Sequence, residues 1–113
     1  MATYIFDGKA GRPIDLATAK KWVAKYRASL KDPNDIRAHF FGSEIIKKIL
    51  NEPGCVGIRI YYALDDSGKK QLLLVGTDAT GGNLLPSTNT DSNGNTIADE
   101  SGTCPPDCPP NDL

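Results

Sequence analysis

Near its C-terminus the chain reads Ser-Gly-Thr-Cys-Pro-Pro-Asp-Cys-Pro-Pro, and the two cysteines, Cys104 and Cys108, are residues whose type and spacing could do chemistry. A C-x3-C pair falls within the interval of about two to four residues found in zinc knuckles, and Cys55 with the lone histidine, His39, would complete a Cys3His donor set for a structural Zn2+. Two features oppose that reading. Consecutive prolines remove two N–H groups that could donate to thiolates, and the other two ligands lie far off in sequence. A Cys104–Cys108 disulfide is a second reading, and its small loop constrains the unfolded chain little, so its use would be chemical or as a rigid tip. A third is a pair of exposed thiols on a polyproline II tip, recognised as a short linear element.

A second group of candidates lies in the middle of the chain. In Cys-Val-Gly-Ile-Arg-Ile-Tyr-Tyr an alternating strand would put Cys55, Arg59 and Tyr61 on one side, and a guanidinium beside a phenol can hold a phosphate or carboxylate. Arg59, Tyr61 and Asp78 are therefore candidate ligand-binding residues, against the alternative that Arg59 pairs with Asp78 or Glu52 on a solvated face. His39 has no Ser/His/Asp order or GxSxG element that would make it a general base. Gly-Thr-Asp-Ala-Thr-Gly-Gly is glycine-rich but lacks the Gly-Lys-Ser/Thr and the helix of a phosphate loop. With no catalytic set in view, the chain reads as non-enzymatic.

Composition narrows the field further. The 113 residues, 39% of them hydrophobic, suffice for one small core. Residues 1–86 hold all 13 Lys and Arg against 9 acids, a net +4, whereas 87–113 hold 5 acids and no base, a net -5. That body is too weakly basic, and its Lys-rich faces too poor in aromatics, for the usual nucleic-acid signature. No apolar run approaches the roughly 20 residues that span a bilayer, and the first residues lack a basic segment followed by an apolar one. These features, with only three cysteines, lead to the expectation of a soluble cytoplasmic protein, with export by a signal-free route left open.

The elements that must position these residues are legible from periodicity. Asp15 is placed to cap a first helix that Asp32-Pro33 ends, with Leu16, Ala19, Val23, Tyr26 and Leu30 on one stripe. Ser43 and Glu44 open a second helix, closed by Pro53-Gly54, with Ile45, Ile46, Ile49 and Leu50 as its inner face. Asn34 to Phe41 reads either as a helical turn or as an extended link. The period then falls to 2, and Val56, Ile58, Ile60, Tyr62 and Leu64 form the expected core face of a strand. Asp-Asp-Ser-Gly-Lys-Lys turns it into a second strand, Gln71 to Asp78, and Asn83 to Pro86 would add a short third. Gly57 and Gly76, one in each strand, mark bulges or close approach of a helix or partner. The order predicts an α+β domain over 1–86, two helices packed on a small antiparallel meander, and a disordered acidic tail over 87–113.

The stretch from Ile36 to Leu85, with its Gly-Cys-Val-Gly-Ile-Arg-Ile-Tyr and Leu-Leu-Leu-Val-Gly-Thr-Asp strands, and the closing Cys-Pro-Pro-Asp-Cys resemble a family of small bacterial proteins of the Bacteroidetes type. The likeness covers 36–85 and the last ten residues. It implies a shared fold and ending, and no activity or catalytic residue comes with it.

The leading expectation is a non-enzymatic protein-binding or assembly module, presenting its hairpin or sheet edge and its cysteine tip to a protein partner or to itself. The runner-up is a metal-binding or thiol-redox protein using Cys104 and Cys108, with zinc as the metal. A third is a small enzyme or ligand-binding domain centred on Arg59, Tyr61 and Asp78.

Overall fold

Asp15 caps the first helix as its position predicts: in the computed structural model its carboxylate accepts from the Thr18 N–H at 3.0 Å and the Thr18 hydroxyl at 2.7 Å. The structure describes residues 4–87 and 94–113. Helix α1 runs Leu16–Ser29, and after it come strand β1 (Ala38–Phe40), helix α2 (Ser43–Leu50), and strands β2 (Gly57–Leu64), β3 (Lys70–Thr77), β4 (Ile97–Ala98) and β5 (Gly102–Cys104). Two helices with antiparallel sheets make the class α+β.

The chain divides into two compact units. The first, Met1–Ala10 with Phe41–Ser101, holds α2 and a three-stranded antiparallel sheet in the order β2-β3-β4. The β2–β3 register runs from Gly57 opposite Thr77 to Leu64 opposite Lys70. Its turn is held by Asp65, whose carboxylate accepts from the N–H groups of Ser67 and Lys69, the Ser67 hydroxyl and the Gln71 amide. Those bonds, the Ser67 hydroxyl first, hold the carboxyl well below its ordinary range. Gly68 takes the positive φ of 81° that the turn requires.

Helix α2 differs from the sequence expectation at its start: Ser43 is expected to cap it by accepting from its orphan N–H groups, but Gly42 is the cap residue and Ser43 is already helical. Its inner face agrees better. Ile49 is fully buried with Leu74 and Ala98, and Ile45, Ile46, Cys55, Ile58 and Phe41 pack around them. Leu50 faces outward. The expected core face of β2 is only partly used: Ile58 joins the core, but Ile60, Tyr62 and Leu64 are exposed at 55%, 94% and 70%. The reason is length. A helix of eight residues spans about 12 Å and covers less than half of a strand of about 26 Å.

The third strand of this sheet is Ile97–Ala98, paired with Leu74 and Val75, and not Asn83 to Pro86, which contributes a single bridge from Asn83 to Thr77. The second unit, Gly11–Phe40 with Gly102–Leu113, holds α1 and a two-stranded sheet in which Ala38, His39 and Phe40 oppose Cys104, Thr103 and Gly102. Within the ambiguous link, Ala38–Phe40 is a strand, and Asp35 closes a turn on Asp32 before it. None of the residues of α1 is buried, and Leu16, Trp22 and Tyr26 are exposed, because the two three-residue strands of its unit are too small to cover fourteen helical residues. Residues 94–113, within the stretch expected to be disordered, carry β4 and β5. Ladder hydrogen bonds, the Cys104–Cys108 bridge and the burial of Ala98 against Ile49 and Leu74 hold that stretch. Residues 88–93, to which the same expectation applied, lie outside the described residues.

Candidate functional site

The residues singled out in the sequence fall into two places. In the first unit, Arg59 and Tyr61 project from the same side of β2 toward the turn that follows β3. Arg59 Nη1 donates to the Gly81 carbonyl at 2.9 Å and to Asn83 Oδ1 at 2.7 Å, and Asn83 Nδ2 donates to the Tyr61 hydroxyl at 2.7 Å. Asp78 shapes the same turn, accepting from the Thr80 hydroxyl at 2.6 Å and from the N–H groups of Thr80 and Gly82. These bonds, the Thr80 hydroxyl first and the Arg59 charge among the smaller causes, hold the Asp78 carboxyl below its ordinary value. The three candidate ligand residues are therefore together, as supports of the 78–83 turn.

The N-terminal segment completes this arrangement. The Phe6 ring lies 5.4 Å from the Arg59 guanidinium carbon, in cation–π geometry, and stacks edge-on with Tyr4 at 5.2 Å. Gly81 has a φ of 85°, and a Cβ there would fall 2.7 Å from the Phe6 ring, so glycine is needed on both counts. A pocket of about 240 Å3 opens beside them, walled by Tyr4, Phe6, Asp7, Val56, Gly57 and Arg59. Phe6 and Asn83 are missed by sequence reasoning because nothing local ties either to Arg59. At the foot of α2, Cys55 Sγ meets the Gly57 carbonyl at 3.2 Å, and Glu52 is buried with its Oε2 accepting from the Thr96 N–H at 3.0 Å. Burial pushes the Glu52 carboxyl above its ordinary value.

In the second unit Cys104 and Cys108 form a disulfide, with their Cα atoms 4.7 Å apart. The loop between them has cis peptide bonds before Pro105 and Pro106. Cys104 is buried at the end of β5, where its carbonyl accepts from the Arg37 N–H at 2.8 Å, while Cys108 is exposed. The Arg37 guanidinium lies against the bridge. Its Nη2 donates to Asp112 Oδ2 at 2.9 Å and lies 3.4 Å from Cys108 Sγ. That contact holds the Asp112 carboxyl below its ordinary value. Beside the bridge a groove of about 650 Å3 is lined by His39, Phe40, Asp107, Cys108 and Pro109. His39 is half-buried in β1 opposite Thr103, and burial pulls its imidazole below the ordinary value.

The proposed metal set is divided between the units, Cys55 in the first and His39, Cys104 and Cys108 in the second. Among the described residues, the group of three whose ligand atoms lie within 4.8 Å of one another is Cys104, Cys108 and Asp112. Zinc binds thiolates, and the disulfide removes both, so only a reduced chain offers two sulfur donors and a carboxylate there. Arg37 and Asp112 are absent from the sequence reasoning, since Arg37 lies 71 residues before Cys108 in the link that local pattern leaves ambiguous.

Among the described residues no helix is long and apolar enough to cross a membrane. Compared with family models, with curated proteins and with solved structures, the chain has no significant match in any of the three.

Proposed function

We propose that this chain is a non-enzymatic assembly module that joins a second copy of itself by strand addition along β2. The observation that carries this reading is the open edge of that strand. In the order β2-β3-β4 the outer side of β2 has no neighbour among the described strands, and Ile60, Tyr62 and Leu64 stand exposed along it. The backbone bond from the Asp65 N–H to the Lys69 carbonyl fixes the alternation, so Arg59, Tyr61 and Ala63 pair with β3 while Ile58, Ile60, Tyr62 and Leu64 point their N–H and C=O groups outward.

Edge strands of natural sheets are commonly blunted by lysine, proline or a charge on the exposed face, and Gly57–Leu64 carries none of these. Arg59, its one charge, is turned to the other face and bonded to the 78–83 turn. The strand is also self-complementary. About a two-fold axis at Tyr62, Ile60 of one copy would lie opposite Leu64 of the other and Arg59 opposite Asp65, so no like charges meet. One strand pair buries less than the roughly 1,200 Å2 of a standard interface, which places the dimer in the weak, concentration-dependent range.

Sedimentation equilibrium over roughly 10 µM to 1 mM, the span in which such small interfaces associate, tests the reading. The wild-type chain should pass from monomer to dimer, and Tyr62→Lys, at a position too exposed to affect folding, should stay monomeric with an unchanged circular dichroism spectrum. A monomer throughout, or a dimer indifferent to Tyr62→Lys, overturns it.

A further inference from the structure

The bridge in the second unit has the parts of a reactive disulfide, and a role for it stands independently of assembly through β2. A disulfide kept for stability gains most when it closes a long loop, and this one closes a loop of only four positions. Its two sulfurs are placed unequally. Cys104 is buried in the β1–β5 ladder, whereas Cys108 is exposed at the rim of the groove and has a guanidinium at 3.4 Å. A cation at that distance favours a thiolate over a thiol.

We infer that Cys104 and Cys108 form a thiol–disulfide exchange centre that oxidises a dithiol of a partner peptide, with Cys108 the attacked sulfur and Arg37 the group that stabilises it as a thiolate. In the first step a partner thiolate attacks Cys108 Sγ. The Cys104–Cys108 bond breaks, a mixed disulfide forms, and Cys104 leaves with the electron pair and takes a proton from solvent. In the second step the other partner thiolate attacks the partner sulfur of the mixed disulfide, and Cys108 leaves as a thiolate beside Arg37. Two electrons pass from the partner to the cysteine pair, and the partner's two protons go to Cys104 and to solvent. The oxidant is the bridge itself, so each chain performs one round.

Stabilising the reduced form makes a disulfide more oxidising, which is the direction that Arg37 imposes. The groove names the kind of partner. Phe40, 73% exposed, and Pro109 give it an apolar wall, so it suits a peptide with an apolar side chain next to its cysteine. The titratable groups facing Cys108 are Arg37 and Asp112, which pair with each other, and His39 and Asp107 in the groove wall.

Equilibration with glutathione redox buffers tests the inference on the intact chain. Arg37→Met should favour the disulfide by about tenfold in the equilibrium constant, a shift of about 30 mV to more reducing potential, and Arg37→Lys should restore part of it. In the reduced wild-type chain Cys108 should react with iodoacetamide as a thiolate well below the ordinary thiol pKa of about 8.5, and Arg37→Met should move that profile upward. With Cys104→Ser, glutathione disulfide should accumulate as a mixed disulfide on Cys108. Equal potentials and equal alkylation profiles in wild type and Arg37→Met, with both folded, make the bridge structural and overturn the inference. Stoichiometric zinc retained by the reduced chain and lost on Asp112→Ala overturns it in favour of a metal site.

Discussion

Glu52 stands so close to Gly76 that a Cβ on the glycine would fall 2.9 Å from the carboxylate oxygen Oε1. The same Cβ would meet Cys55 Sγ at 3.2 Å and Ile49 Cγ2 at 3.3 Å. Gly76 is the point at which the end of α2 rests directly on β3, and its missing side chain is what allows Ile49 to reach Leu74 and Ala98.

Gly76→Ala should therefore destabilise the protein by about 1–3 kcal/mol, the usual cost of overpacking a filled core. Gly57→Ala is the control, since a Cβ there has nothing within 4 Å. A methyl on that strand position should be neutral or stabilise by up to about 1 kcal/mol, because alanine has less backbone freedom to lose. Urea denaturation of both variants checks the pair, and equal effects would mean that α2 is not seated on Gly76.

Glu52 makes stability depend on pH. Its carboxyl is buried, Oε1 has no hydrogen-bond partner among the described residues, and its proton is held more tightly in the folded chain than in the unfolded one. The stability this provides is complete below the unfolded value of 4.5 and is lost as pH rises through the raised folded value. Glu52→Gln removes that equilibrium while keeping an acceptor for the Thr96 N–H. Thermal melts from about pH 4.5 to pH 7 should show a falling contribution in the wild type and a flatter profile in the variant. Parallel profiles would assign the pH dependence to other groups.

Arg59 is expected to act on stability through the 78–83 turn. Arg59→Met keeps the aliphatic stem but loses the two bonds to Gly81 and Asn83 and the contact with Phe6, at a cost of about 1–3 kcal/mol. Arg59→Lys should recover less than half of it, because an ammonium lacks the planar fork. Chemical denaturation gives the energies, and the amide resonances of Gly81 and Asn83 should shift in both variants. A loss below about 0.5 kcal/mol, the scatter of ordinary surface substitutions, would mean that the turn stands without the guanidinium.

Much of the fold was legible because its signals are local. The cap at Asp15, the inner face of α2 around Ile49, and the hairpin whose turn Asp65 and Gly68 close all rest on residues within a few positions of one another. The candidate sites were legible only as residue types. Arg59, Tyr61 and Asp78 do come together, but Arg59 and Tyr61 are joined through Asn83, which the sequence marked only as the start of a short strand, while Asp78 shapes the same turn through Thr80 and Gly82. Cys104 and Cys108 pair with each other, while the donor set with Cys55 and His39 divides between two units.

By itself the sequence determined the two helices, the β2–β3 hairpin with its turn and the alternation of faces, since each follows from periodicity, capping and turn chemistry along one short stretch. Only the tertiary structure decided that Ile97–Ala98 fills the open edge of β3, that α2 is too short to cover Ile60, Tyr62 and Leu64, and that Arg37 meets Cys108. Those outcomes depend on which distant segment fits a given edge or charge. A polar stretch joins a fold when its backbone completes a ladder and its cysteines bridge, and hydropathy along the chain does not carry that information.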